Sequence, residues 1–164
     1  MTSSQWVWMV LVLVYLAFFS WYTSFEGPLT EAEMARYLEL AANDPTNTPD
    51  DVVTIRKFME EDDGDDLVMV NIVHMYDKPL QIEGVLPTDT SDEVLARYME
   101  YMFPAMLSRA SHPVFFGKSV APQAMDLMNA EGMEVWSNAA GVRYRSRRDL
   151  LEIGTNPAFA GRLR

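Results

Sequence analysis

The residue types able to do chemistry are few and scattered. The chain has two histidines, His74 and His112, and no cysteine. That removes thiolate nucleophiles, disulfides and iron–sulfur clusters. A metal site would need both histidines plus carboxylates, and no spacing in the chain supports one. His74 closes one apolar run and His112 opens another. Such a histidine is ordinarily satisfied by a local hydrogen bond; the functional alternative is a general base or a haem ligand. Arg143, Arg145, Arg147 and Arg148 cluster in VRYRSRRDLLE. On a strand Arg143 and Arg145 share one face, while Val142 and Tyr144 take the other. Guanidinium forks suit an anion or partner clamp, or ion pairs with the acidic part of the chain; ion pairing is the simpler reading. Asn71 interrupts an apolar run and needs a partner if buried. It projects opposite to His74, so the two do not share a site. No catalytic constellation assembles; His74, His112 and Arg143 are the candidates left.

The acidic run Glu60–Asp66 (EEDDGDD) invites comparison with a calcium loop. Such a loop alternates acids before its glycine and places a glutamate six residues after it. Counted from Gly64, the first ligand falls on Met59 and the last on Val70. The pattern fails, and a solvated acidic turn is expected instead.

The elements that must hold these residues follow from periodicity and caps. Thr30-x-x-Glu33 is a capping box opening a helix to about Ala42, with Met34, Tyr37, Leu38 and Ala41 as its apolar stripe. Thr48 and Pro49, followed by Asp50 and Asp51, start a second helix to about Met59. Leu67–Met75 is apolar on both alternating faces and reads as a strand buried on both sides. A helix follows from Asp92 to about Arg109, with Leu95, Met99, Met102 and Met106 on one side and a kink expected at Pro104. His112–Lys118 is a second strand, Pro122–Ala130 a short helix or turn, and Glu134–Arg145 a third strand. Ser146-x-x-Asp149 caps a helix to Ile153, with Gly154 as its stop. A short turn begins at Asn156-Pro157. The twelve methionines are read as pliable core and interface filler.

Ahead of all this lies Trp6–Tyr22 (WVWMVLVLVYLAFFSWY), which carries no charge. As a helix it spans roughly 25 Å, enough for the hydrocarbon core of a bilayer. Trp6 and Trp8 at one end, with Trp21 and Tyr22 at the other, form the aromatic belts that membrane interfaces favour. A cleaved signal peptide is disfavoured, because Met1–Gln5 has no Lys or Arg and the run ends in bulky residues. Arg36 is the first basic residue after the span, which leans toward a cytoplasmic N-terminus and a domain on the other side.

Net charge is −11, unevenly spread. Residues 26–100 hold 19 acidic and 5 basic side chains, and residues 101–164 hold 5 acidic and 8 basic. No continuous basic face results, which argues against nucleic acid and suits docking on a charged neighbour. The expected organisation is a transmembrane anchor over 1–24, a helical spacer with an acidic turn over 25–66, and an α+β domain over 67–164.

From Leu67 the order is strand, helix, strand, strand, helix, the ferredoxin-like order without its last strand. MVNIVHMYDKP, the helix ending in MFPAML, SHPVFFG and above all VRYRSRRDLLEIGTNPAFAG resemble the uncharacterised dimeric α/β-barrel family related to the DUF1330 domains, over about residues 67–161. The resemblance implies two sheets packed face to face, with a small ligand or haem able to sit inside. Two departures stand out: family members continue into one more strand, and they are usually soluble. A bare strand edge invites a partner. The expected function is an accessory or structural subunit of a larger membrane complex. It would bind lipid and other membrane subunits, or a second copy of itself, without a cofactor or metal. The alternative is a membrane-tethered dimeric-barrel enzyme or haem-binding protein acting on a small hydrophobic molecule.

Overall fold

The computed structural model describes residues 2–82, 84–119 and 136–156. Among them are five helices and three strands, an α+β arrangement. The helices are α1 (Ser3–Tyr22), α2 (Glu31–Asn43), α3 (Pro49–Glu60), α4 (Ser91–Ser108) and α5 (Arg147–Gly154), and the strands β1 (Leu67–Val73), β2 (His112–Lys118) and β3 (Asn138–Tyr144). Each helix start is set locally. Thr2, Thr30, Thr48 and Thr90 cap α1 to α4, each in a reciprocal capping box with Gln5, Glu33, Asp51 and Glu93. Ser146 caps α5 by accepting from the Asp149 amide. These side chains satisfy amides that the first turn leaves without intrahelical partners.

The sheet order is β1-β3-β2, with β3 antiparallel to both neighbours. β1 and β2 therefore run parallel, joined by a connection that contains α4, and β3 is inserted between them. Register sets the two faces. Leu67, Met69, Asn71 and Val73 lie opposite Tyr144, Val142, Ala140 and Asn138 on one face. Val68, Val70 and Ile72 lie opposite Arg143, Gly141 and Ala139 on the other. α4 and α5 cover the first face, where Met106, Tyr144 and Ile153 are buried against Leu67, Met69, Met99 and Val142. α2 and α3 form an outer layer on α5, with Leu29, Tyr37, Met59 and Leu151 buried together.

The second face is covered only in part among the described residues, by Tyr22 over Arg143 and by the Phe115 ring over Gly141. Val68, Val70 and Ile72 keep 52%, 58% and 54% of their surface exposed. This corrects the expectation of a strand buried on both sides. Alternating apolarity on both faces shows that both can be buried, and among the described residues helices cover only one.

Several boundaries differ from expectation. β1 ends at Val73, leaving His74 and Met75 beyond the strand. α4 keeps its expected span through Pro104, because a proline deletes one hydrogen bond and the packed methionine stripe holds the rest. α5 includes Gly154, which is not in the left-handed region. The helix instead closes through Thr155, whose amide and Oγ1 both donate to the Leu151 carbonyl. The expected helix at 122–130, the first two residues of the expected third strand and the turn from Pro157 onward lie outside the described residues.

The acidic turn is not wholly solvated. Asp62 is folded inward: Oδ2 accepts from the Leu29 amide at 2.7 Å and Oδ1 from the Gly64 amide at 3.2 Å. Gly64 has φ +84°, and a Cβ there would meet the Gly27–Pro28 backbone at 2.7–2.9 Å. A turn residue confined both by positive φ and by touching backbone accepts only glycine. The acidic run thus fastens the exit from α1 to the end of α3. Among the described residues no group of three or more His, Asp or Glu is placed to hold a metal.

Candidate functional site

α1 is long and apolar enough to cross a membrane, and none of its residues is buried. Its C-terminal end is built into the domain. A helix leaves its last carbonyls without intrahelical donors and carries partial negative charge there. α1 has no basic residue in its last turn. The missing cations come from β3 and the residue after it. Arg143 Nη2 donates to the Tyr22 carbonyl at 3.3 Å, and Arg145 Nη1 donates to the Trp21 carbonyl at 3.2 Å.

Tyr22 is held from several sides. The Arg143 guanidinium lies 3.9 Å from its ring centroid, a cation–π contact. The His112 ring stacks with it at 5.8 Å and shares a 2.9 Å hydrogen bond between Nε2 and the hydroxyl. Nδ1 of His112 is 3.1 Å from the Pro113 carbonyl, which can only accept. In the neutral ring that assigns the proton to Nδ1, so Nε2 accepts from the Tyr22 hydroxyl. His112 and Arg143 are register partners and so meet here. Arg143 also donates to Asp66 at 2.7 Å and to the Ala110 carbonyl at 3.0 Å. Trp6 and Trp8 stand at the far end of α1, exposed.

Arg145, Arg147 and Arg148 are likewise engaged within the chain. Arg145 grips both Asp149 oxygens, at 2.8 and 3.1 Å, and Arg109 reaches the same carboxylate at 3.3 Å. Arg147 donates to the Phe58 carbonyl and lies 3.9 Å from Asp62. Arg148 donates to Glu33 at 2.7 Å and pairs with Glu26 at 3.0 Å. The Arg148 hydrogen bond is the main reason the Glu33 carboxyl is pulled down to about 2. Glu152 is also held below the usual carboxylate range, first by the hydroxyl of buried Tyr37 at 2.6 Å and then by Arg36. Burial pushes the Tyr37 hydroxyl up in turn. Guanidiniums saturated this way hold the layers together and leave little capacity for an anion.

His74 stands at the opposite end of the sheet. β1 starts level with the His112 end of β2, and His74 follows its last residue. Six strand residues separate the two levels, roughly 20 Å along the strand. The two histidines therefore cannot serve one centre. His74 packs edge-on against Tyr76. A haem ligand needs an imidazole nitrogen facing open space, and Nε2 of His112 is turned to Tyr22 instead.

A second feature lies on the covered face. Between α4 and the sheet is a cavity of about 530 Å³ lined chiefly by apolar side chains, with Asn71, Tyr98 and Asn138 among its polar groups. The burial of Asn138 and the convergence of two arginines on Asp149 were not legible in the sequence, because they depend on strand register and on the α5 docking angle. The only available signal was Ser146-x-x-Asp149, which marks a cap and says nothing of the two arginines that converge on it. No protein-family model, curated protein or solved structure matches the chain.

Proposed function

We propose that this protein is a single-pass membrane protein that acts as an accessory or structural subunit of a larger membrane complex. In this reading α1 sits among the partner's helices, with its N-terminus cytoplasmic and the domain on the other side. The uncovered sheet face docks on the partner's extramembrane part. The observation that carries the reading is the apolar face of Val68, Val70 and Ile72, which ends beside the point where α1 is clamped by Arg143 and Arg145. A partner lying along α1 would meet that face without reorientation. Exposed apolar patches of this kind mark interaction surfaces. The split arrangement of parallel β1 and β2 around β3 is also consistent with a ferredoxin-like domain.

The full chain, purified in mild detergent, is expected to comigrate with other membrane subunits on a native gel. Val70→Asp is expected to release it from them while changing the stability of the isolated protein by less than about 0.5 kcal/mol, as exposed sites generally do. A coloured cofactor bound to the isolated chain, in place of subunits, would support the enzyme or haem-binding alternative. A homodimer with no other subunit would assign the sheet face to self-association. Hydrogen exchange provides an independent check: if the β1 amides are equally protected in the isolated chain and in the assembly, no partner covers that edge.

A further inference from the structure

The last residues of α1 are built into the domain, so one end of the domain is held close to any membrane that α1 crosses. Arg143, Arg145 and His112 grip Trp21 and Tyr22, and no residue of α1 is buried, so the helix projects away from the fold. The end on that side is the one where α4 finishes and β2 begins. Val114 follows His112 by two strand residues, roughly 7 Å. Leu107 stands one helical turn before Ala110, whose carbonyl accepts from Arg143, roughly 5 Å along the axis. The headgroup layer is itself about 5–8 Å deep on each side of a bilayer.

This end carries an apolar patch. Leu107, Phe103, Val114 and Phe116 keep 39%, 43%, 47% and 62% of their surface exposed. Phe103 lies one turn from Leu107 on the same side of α4 and lines a groove together with Phe116. Apart from neutral His112, the only ionisable side chain other than Tyr101 between Glu100 and Lys118 is Arg109, and it is turned to Asp149 and Glu152. The opposite edge at the same end follows the acidic turn, with Asp63, Asp65 and Asp66. Lipid favours the first edge and water the second. Another strand is a poor occupant of the β2 edge. Pro113 lacks an amide hydrogen and the bulge leaves Val114 without a register partner, devices that blunt an edge.

We infer that the domain rests its β2 edge on the membrane surface, with Leu107 and Val114 among the headgroups and upper acyl chains and with Phe103 and Phe116 above them. The inference rests on the reading of α1 as a membrane span. The patch is no anchor by itself. It makes its contact because α1 holds it at high local concentration, so a domain cut free of α1 leaves the membrane.

The chain has no cysteine, so a single introduced one carries an environment-sensitive fluorophore to one position. Val12→Cys, Leu107→Cys, Val114→Cys and Leu86→Cys are labelled in the full chain and reconstituted alone into phosphatidylcholine vesicles, with iodide on both sides as the aqueous quencher. Leu86 is also exposed but lies beside the start of α4, away from the α1 end. Lipids brominated near the bilayer centre should quench the label at residue 12. Lipids brominated on the upper acyl chain should quench the labels at residues 107 and 114, at the depth of roughly 5–10 Å where interfacial side chains lie. The label at residue 86 should respond to iodide alone. Adding Val114→Asp to Leu107→Cys should abolish lipid quenching there and restore the iodide response, while the same addition leaves residue 12 unchanged. Lipid quenching at residue 12 with an iodide-only response at residues 107 and 114 would overturn the inference and leave the span standing. No lipid quenching at residue 12 would remove the span, and the inference with it. Shielding of residues 107 and 114 from iodide without quenching by either lipid would assign the patch to a second copy of the chain and overturn the inference as well.

Discussion

Arg143 performs several tasks at once. It pairs with Asp66, donates to the carbonyls of Ala110 and Tyr22, and lies over the Tyr22 ring. Only a planar group with several donors can meet all four demands. Arg143→Ala is expected to cost about 2–4 kcal/mol, since it strands buried acceptors as well as removing an ion pair. Arg143→Lys should recover less than half of that, because an ammonium satisfies a point charge and not a fork. Denaturant melts of the three proteins in one detergent check both statements. Comparable stability of the lysine variant and wild type would show that charge alone suffices. His112 contributes at the same place by a stack and one hydrogen bond, which is a positioning role.

At the scale of elements, the outer helical layer is fastened to α5 by carboxylate–arginine contacts over a small apolar cluster. Glu33 is the clearest case, held at about 2 from an ordinary 4.5 chiefly by Arg148. A carboxyl depressed by folding stabilises the folded state above its unfolded pKa and loses that contribution as pH falls through the folded value. The window here runs from about 4.5 down to about 2. Glu152, lowered in the same direction, adds to the slope. Stability is therefore expected to fall as acid is added through this window. Glu33→Gln should be less stable than wild type at neutral pH, and the two should converge toward about pH 2. The glutamine oxygen can still accept from Thr30, so the difference reports chiefly the Arg148 contact, with a smaller share from the Thr30 hydrogen bonds. Parallel pH dependences for the two proteins would exclude Glu33 as the titrating group.

For the molecule as a whole, the junction decides how the domain is carried. A helix joined by a flexible linker would let the domain tumble. Here Trp21 and Tyr22 are tied to the residues around β3 by the Arg143, Arg145 and His112 contacts. Removal of residues 1–24 is expected to release a folded domain that no longer sediments with membranes. It should melt lower than a chain beginning at Ser20, which retains the Tyr22 contacts. A difference of about 1–3 kcal/mol is expected from losing a cation–π contact and a hydrogen bond together. Equal melting of the two truncations would show that the junction contributes nothing to the fold. Persistent, salt-resistant membrane binding of the shorter one would reveal a second membrane contact.

What the sequence determined by itself is local. The capping box at Thr30, the helix start at Thr48, the apolar length of α1, the methionine stripe of α4 and the approximate span of each described strand all depend on residues within one or two turns of each other. Tertiary structure decided everything that requires two distant segments to meet. Alternation in β1 put Val68, Val70 and Ile72 on one face, but which face receives helices depends on the handed path of the connection between β1 and β2. The arginines of VRYRSRRDLLE were legible as a cluster, yet their partners lie as far away as Tyr22, Glu33 and Asp66. The buried, unpaired Asn138 oxygen was invisible, because burial of a polar atom is a property of the packed neighbourhood. Coulombic and packing energies act through space, and only the fold says which residues share it.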